Sequence, residues 1–456
     1  MNTNKTNIVL RLFAAMLFLA VSQSAFGQEL IRENNNYQLC DTSIIRSKGN
    51  DTVLIYYRDS EQSVFMLVTN GMPYNVPTLK LHNLYVNDFE ITKSGVYFCG
   101  YRIDEGRKKG IYGVFRMEPF ANNPIYYYEL DTCMELKKLD FYRVHEGMIY
   151  TDHEDHLVMT GTTTGARSDV LVDRIVYVIR PNPSYMPYTS MMYFSDNEDE
   201  NFDDVAVTKN HVVVSVRKKV EGLPVVDFWQ FNRPTSLDLS IFYSSFKHLL
   251  LGSPTPETAV FLEHVEDDIY AAVYKVEDYS TYSRMAMLQV DATNGNIKTV
   301  EILGDELLTN IPIDIKYKKS NGIFDILARR DYSYRDASDV YLPMQIYHVT
   351  PTVLYYPTSI GKGTRYPDND VWSIDPTESS NFFVASGADR KFPRFFKYSP
   401  TNWEKCPEQF LYRAFVEETK RELKDMKLEW TGPKHDPIRV GPDPDEMPFE
   451  VKCSGK

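Results

Sequence analysis

The sequence has 456 residues, 43% hydrophobic, 25% charged and 13% aromatic, with a formal net charge of −13. These values exclude disordered, collagen-like and multi-span membrane classes, and the acidic balance argues against nucleic acid or an anionic membrane as the main partner. The chain outgrows one compact core, and its 32 Tyr and 25 Phe against 22 Gly favour many short, half-buried strands in a repetitive architecture over a helical array.

Residues 1–27 have the pattern of a secretory signal peptide: Lys5 and Arg11 precede an apolar run, Leu12 to Val21, and small residues lead to an expected cleavage before Gln28. That run of about ten residues is half of what a membrane-spanning helix needs, so no transmembrane anchor is expected. Loss of Lys5 and Arg11 takes the charge from −13 to −15. An exported protein, periplasmic or secreted, is the expectation. Five cysteines follow the cleavage point, none in a Cys-x-x-Cys or zinc-type spacing. Cys99 lies in the apolar run Val96-Tyr97-Phe98-Cys99 and reads as a buried thiol. Cys406 and Cys453 flank the C-terminal tail and are the expected disulfide, with at least one thiol left over.

A short apolar strand centred on an Asp recurs along the chain. With Asp88, Asp140, Asp203, Val260, Asp314 and Trp372 as markers, the intervals are 52, 63, 57, 54 and 58 residues. A second strand follows each marker (Val96 to Gly100, Leu157 to Gly161, Val212 to Val216, Ile269 to Tyr274, Ile323 to Ala328, Phe382 to Ser386), then a third, several of which run into a proline that ends the ladder. Residues 28–85 hold one more unit, with Leu39-Cys40-Asp41 as its marker. Three to four antiparallel strands per unit of roughly 50 residues predict an all-β fold, a β-propeller of seven blades over residues 28–400. Six blades with an irregular start is the alternative, because the last unit shows no fourth strand of its own.

Over roughly residues 37–400 this pattern resembles secreted bacterial β-propeller proteins. The likeness is architectural: the Trp-Asp blade ending of WD40 repeats, the paired glycines of kelch and the Ser-x-Asp-x-Gly-x-x-x-Trp box of sialidase-type propellers are missing. It therefore implies a fold and carries over no catalytic residue. Beyond it, residues 401–456 form a tail in which Pro407 to Trp430 has helical spacing and Pro433, Pro437, Pro442, Pro444 and Pro448 predict an irregular strap.

Chemistry-bearing motifs are sparse. No Gly-x-Ser-x-Gly, His-Glu-x-x-His, Walker loop or dinucleotide fingerprint occurs, so no catalytic residue and no cofactor is assigned. Asp152-His153-Glu154-Asp155-His156 reads as an extended polar turn, not as a metal site, and the acidic run Asp196 to Asn201 as a solvated loop. The marker Asp reads as structural, accepting hydrogen bonds at the start of each blade.

The turns between second and third strands are more informative. Together they carry sixteen Lys and Arg against eleven Asp and Glu, a net positive count on an acidic protein. Equivalent turns project from one end of a propeller, so Arg102, Lys108, Arg217, Arg284, Arg330 and Arg390 are expected to share a face with Tyr101, Tyr279, Tyr282, Tyr332 and Tyr334. An aromatic and cationic mixture suits an anionic glycan or an extracellular protein. The sequence thus predicts a monomeric, non-catalytic binding propeller. The alternatives are a polysaccharide lyase or glycoside hydrolase on the same face, and a structural scaffold.

Overall fold

The computed structural model describes thirty strands between residues 28 and 440 and several of the tight turns joining them. Residues 1–27, 399–428 and 441–456 and the longer connections lie outside the described residues, and with them the predicted helix up to residue 428 and the pairing of Cys406 with Cys453.

The strands form seven antiparallel sheets, the blades of a β-propeller. β1 (Gln28–Glu33) stands apart from its neighbours in sequence. Blade one is β2 (Thr42–Lys48), β3 (Thr52–Arg58), β4 (Gln62–Thr69) and β5 (Thr78–His82), and blade two is β6 (Leu84–Ile91), β7 (Val96–Asp104), β8 (Arg107–Phe115) and β9 (Tyr126–Thr132). Blade three is β10 (Met134–Arg143), β11 (Asp155–Thr163), β12 (Asp173–Arg180) and β13 (Tyr188–Phe194); blade four is β14 (Asn201–Val207), β15 (His211–Val220), β16 (Leu223–Asn232) and β17 (Lys247–Leu251). Blade five is β18 (Phe261–Glu266), β19 (Ile269–Glu277), β20 (Ser283–Asp291) and β21 (Ile297–Leu303); blade six is β22 (Thr309–Lys318), β23 (Ile323–Asp331), β24 (Met344–Val349) and β25 (Thr358–Ile360). Blade seven contributes β26 (Trp372–Pro376), β27 (Asn381–Ser386) and β28 (Pro393–Tyr398), and its fourth strand is β1, paired antiparallel with β28. The missing strand of the last unit is thus supplied by the first described segment, which closes the ring.

The core lies between blades. Successive residues of a strand point to opposite faces, so β7 sends Val96 and Phe98 toward blade one and Tyr97 and Cys99 toward blade three. Cys99 is a buried free thiol, as its apolar setting predicts. Blades one and two meet through aromatic rings, Phe65 lying 4.9 Å from Phe115 and 5.2 Å from Phe89. Full burial of such a ring contributes about 2 kcal/mol.

Three details differ from the sequence reading. Glu429 and Trp430, placed at the end of the predicted helix, belong to β29 (Glu429–Thr431), which adds to β17. Ile438-Arg439-Val440, within the strap predicted to be irregular, forms β30, which adds to β13. The prolines on either side limit the length of that strand without preventing it. Finally, β11 begins at Asp155, so His156 is a buried strand residue opposite Tyr142 and not part of a polar turn. His153 lies outside the described residues.

Candidate functional site

The innermost strands share a three-residue unit in which an apolar residue is flanked by two positions that carry charged or polar side chains in most blades. The units are Ile44-Ile45-Arg46, Asp88-Phe89-Glu90, Lys138-Leu139-Asp140, Asp204-Val205-Ala206, Phe261-Leu262-Glu263, Asp314-Ile315-Lys316 and Ser373-Ile374-Asp375. The central residues Ile45, Phe89, Leu139, Val205, Leu262 and Ile315 are buried. In blades two, three, four and six a β-bulge immediately precedes the unit, at the register shifts Val86/Asp88, Leu136/Lys138, Phe202/Asp204 and Pro312/Asp314. The extra residue bends the strand and aims the next side chain at the neighbouring blade. In two blades the partner strand must come unusually close there: a Cβ on Gly100 would sit 1.8 Å from the Tyr85 carbonyl oxygen, and one on Gly161 2.5 Å from that of Glu135.

The flanking positions form two tiers that stitch each blade to the next. In the first tier, Asp88 Oδ2 accepts from Leu139 N at 3.1 Å, Asp204 Oδ2 from Leu262 N at 2.9 Å, and Ser373 Oγ from Ile45 N at 3.4 Å. In the second, Asp140 Oδ2 accepts from Val207 N at 2.6 Å, Glu263 Oε1 from Tyr317 N at 3.4 Å, and Asp375 from Ser47 N. Asp314 reaches Ser373 Oγ at 3.5 Å, and Arg46 joins blade one to blade two through Asp88 at 3.1 Å and Glu90 at 2.9 Å. Every junction of the ring is bridged. The marker spacing matches Asp140 and Asp203 to Asp88, but the bulges place Lys138 and Asp204 at that position instead. Asp203 is itself a bulge residue that accepts from Val260 N at 2.9 Å.

Seven carboxylates and three cations therefore face one another around the channel. Desolvation pushes the Asp140 carboxyl well above its ordinary value, with the nearby Glu90 charge adding to it, and burial likewise raises Asp204 and Asp375. Burial pushes Glu263 up to about 7 despite Lys316, whose ammonium lies 3.4 Å away. For Lys138, burial opposes the charged form, but Asp204 and Asp88 outweigh it and raise the ammonium. Among the described residues this ring holds no His or Tyr and no cluster of ligands suited to a metal ion.

The second-to-third-strand turns lie at the opposite end of the inner strands from the Thr92–Gly95 and Thr208–His211 turns. In blade two, Glu105 and Gly106 take left-handed φ of 47° and 77°, a two-residue hairpin that fixes Arg102 and Lys108 at the rim. Arg102 pairs with Glu129 at 2.7 Å and Lys108 with Glu135 at 2.7 Å; Lys109 also reaches Glu129. Lys108 Nζ sits 4.3 Å above the Tyr101 ring, Tyr101 stacks on Tyr85 at 4.9 Å, and Arg58 covers Tyr85 at 5.6 Å. Cations thus close both ends of a tyrosine stack. Arg102 and Lys108 keep 32% and 46% side-chain exposure.

Other members of the predicted face have different surroundings. Arg217 grips Asp203 at 2.5 and 2.8 Å, buttressing the bulge of blade four. Arg284 is buried on β20 opposite Val276, so it sits inside the blade and not at its rim. Arg330 lies on β23 opposite Asn310. Tyr279, Tyr282, Tyr332, Tyr334 and Arg390 lie outside the described residues. The column of Arg58, Tyr85, Tyr101 and Lys108 was only half visible in the sequence, since Tyr85 and Arg58 belong to no turn.

No protein-family model matches the chain, and no curated protein does. Among solved structures it is similar to the β-propeller domain of the Trilobed protease from Pyrococcus furiosus, described as having an open velcro topology, at 10% identity and a TM-score of 0.43, covering 81% of this chain and 98% of that one. It is also similar to the Dos1 propeller, at 8% identity and a TM-score of 0.41, covering 83% of this chain and 97% of that one. These likenesses concern the fold.

Proposed function

We propose that the chain is an exported, non-catalytic β-propeller that binds a glycan or an extracellular or periplasmic partner through the rim bearing its second-to-third-strand turns. The observation that carries this reading is the division of labour among its charges. Five of the seven ring carboxylates, the natural place for a hydrolase pair, are engaged by backbone N–H groups of the next blade, and Glu90 is held by Arg46. At the rim of blade two, by contrast, Arg102 and Lys108 keep exposed surface beside Tyr101. Cations over aromatic rings suit carboxylated or sulfated sugars and acidic peptides. Calorimetry with acidic and neutral glycans tests it: Arg102→Ala and Lys108→Ala are each expected to weaken binding of an acidic ligand about tenfold and to reduce its salt dependence. Unchanged affinity in both variants overturns the assignment of this rim.

One observation favours a second reading, a carbohydrate-active enzyme. Burial pushes the Glu263 carboxyl up to about 7, in the range that suits a general acid, and its contacts at 3.4 Å are the loosest of the second tier. Turnover of a polysaccharide that disappears in Glu263→Gln would establish it; activity that survives the substitution would remove it.

A further inference from the structure

Blades three and four carry a fifth strand, and both strands come from the C-terminal tail. β29 pairs antiparallel with β17 at the outer edge of blade four; β30, after six intervening residues, pairs antiparallel with β13 of blade three. The tail therefore travels round the outer strand edges against the order of the blades. The next edge on that course is β9 of blade two. Among the described residues nothing pairs with its outer side, and it bears two of the three exposed large apolar side chains, Tyr126 at 55% and Tyr127 at 41%. An open strand edge with exposed aromatic rings is where a further strand adds.

The chain beyond β30 has the matching composition. Gly441 to Pro448, eight residues with prolines at three of them, lead into Phe449-Glu450-Val451-Lys452-Cys453, which alternates apolar and polar with the period of a strand. Six residues suffice for the step from blade four to blade three. Eight residues, spanning up to about 26 to 29 Å when extended, are ample for one more step of the same ring. We propose that Phe449–Cys453 adds antiparallel to β9 as a fifth strand of blade two, so that the tail straps three consecutive blades and covers Tyr126 and Tyr127.

Hydrogen exchange on the full-length chain tests this, comparing the wild type with Val451→Pro, which removes a ladder donor outside the blades themselves. The peptide spanning Tyr126–Thr132 is expected to exchange about tenfold faster in Val451→Pro, with the peptide covering β17 unchanged. Three results overturn the proposal: equal or slower exchange in the variant, a wild-type β9 whose outward amides are already unprotected, or protection that rises with protein concentration, which would make a second copy the occupant.

Discussion

The channel ring and the rim of blade two use the same residue types in opposite ways. Around the ring, Asp88 and Arg46 keep 6% and 11% of their side-chain surface, and five of the seven carboxylates accept a backbone N–H across a blade junction. At the rim, Lys108 and Glu135 keep 46% and 24%, and their pairing joins two long, mobile side chains. A charge taken out of water needs fixed partners, whereas a solvated one gains little from any single partner. The ring's electrostatics therefore hold the circle shut, while the rim's charges are free to exchange a protein carboxylate for one on a ligand.

The largest expected effect lies in the ring. Asp88→Ala removes the bond to Leu139 N, the bond to its own neighbour Phe89 N at 2.9 Å and one arm of the Arg46 clamp. Breaking a buried pair in this way typically costs about 3 to 5 kcal/mol, and urea unfolding at neutral pH should show a loss of that size. A loss below about 1 kcal/mol would mean that Asp88 behaves like the exposed rim charges.

The repeat was legible because the apolar residue at the centre of each unit, Phe89, Leu139, Val205, Leu262 or Ile315, must enter the core whatever flanks it. The flanking positions were not, because they need only fit the local charge balance: an Asp in one blade is matched by Lys138 or Phe261 in another. The bulges also add a residue before the unit, which hides its register from a search on Asp alone. Closure was hidden for a different reason. β1 finds its partner in β28, at the other end of the propeller sequence, and no local pattern announces so distant a pairing. For the site, the hairpin at Glu105-Gly106 was readable as a turn, but nothing in the sequence marked Arg284 as buried or Arg217 as held by Asp203.

A smaller effect is expected from Glu263, and it depends on pH. Desolvation raises its carboxyl from an ordinary 4.5 to about 7. A carboxyl whose folded value is raised favours the folded state below its unfolded value, and that advantage is lost as pH rises through the folded one. The wild type should therefore lose stability between about pH 4.5 and 7 relative to Glu263→Gln, by up to about 3 kcal/mol for a shift of this size. Thermal melts of both proteins from pH 5 to pH 8 check it. A constant difference across that range would mean that Glu263 is ionised throughout.

The smallest expected effect belongs to the rim, and its smallness is what would separate the proposed binding surface from scaffold. Lys108→Ala removes an exposed ion pair with Glu135 and the cation over Tyr101. Exposed pairs contribute about 0 to 1 kcal/mol, and a solvated cation–π contact about 0.5 to 1 kcal/mol. Tyr101 remains 9% exposed and stacked on Tyr85, so the tyrosine column keeps its packing when the ammonium is gone. Unfolding of the ligand-free variant should therefore differ from wild type by no more than about 1 kcal/mol, and should converge on it as salt is raised, because salt screens the exposed pair and leaves the stack untouched. A loss comparable to that of Asp88→Ala, insensitive to salt, would mean that Lys108 acts as a staple between blades two and three. Its ammonium would then be committed to Glu135 and unable to serve an anionic ligand.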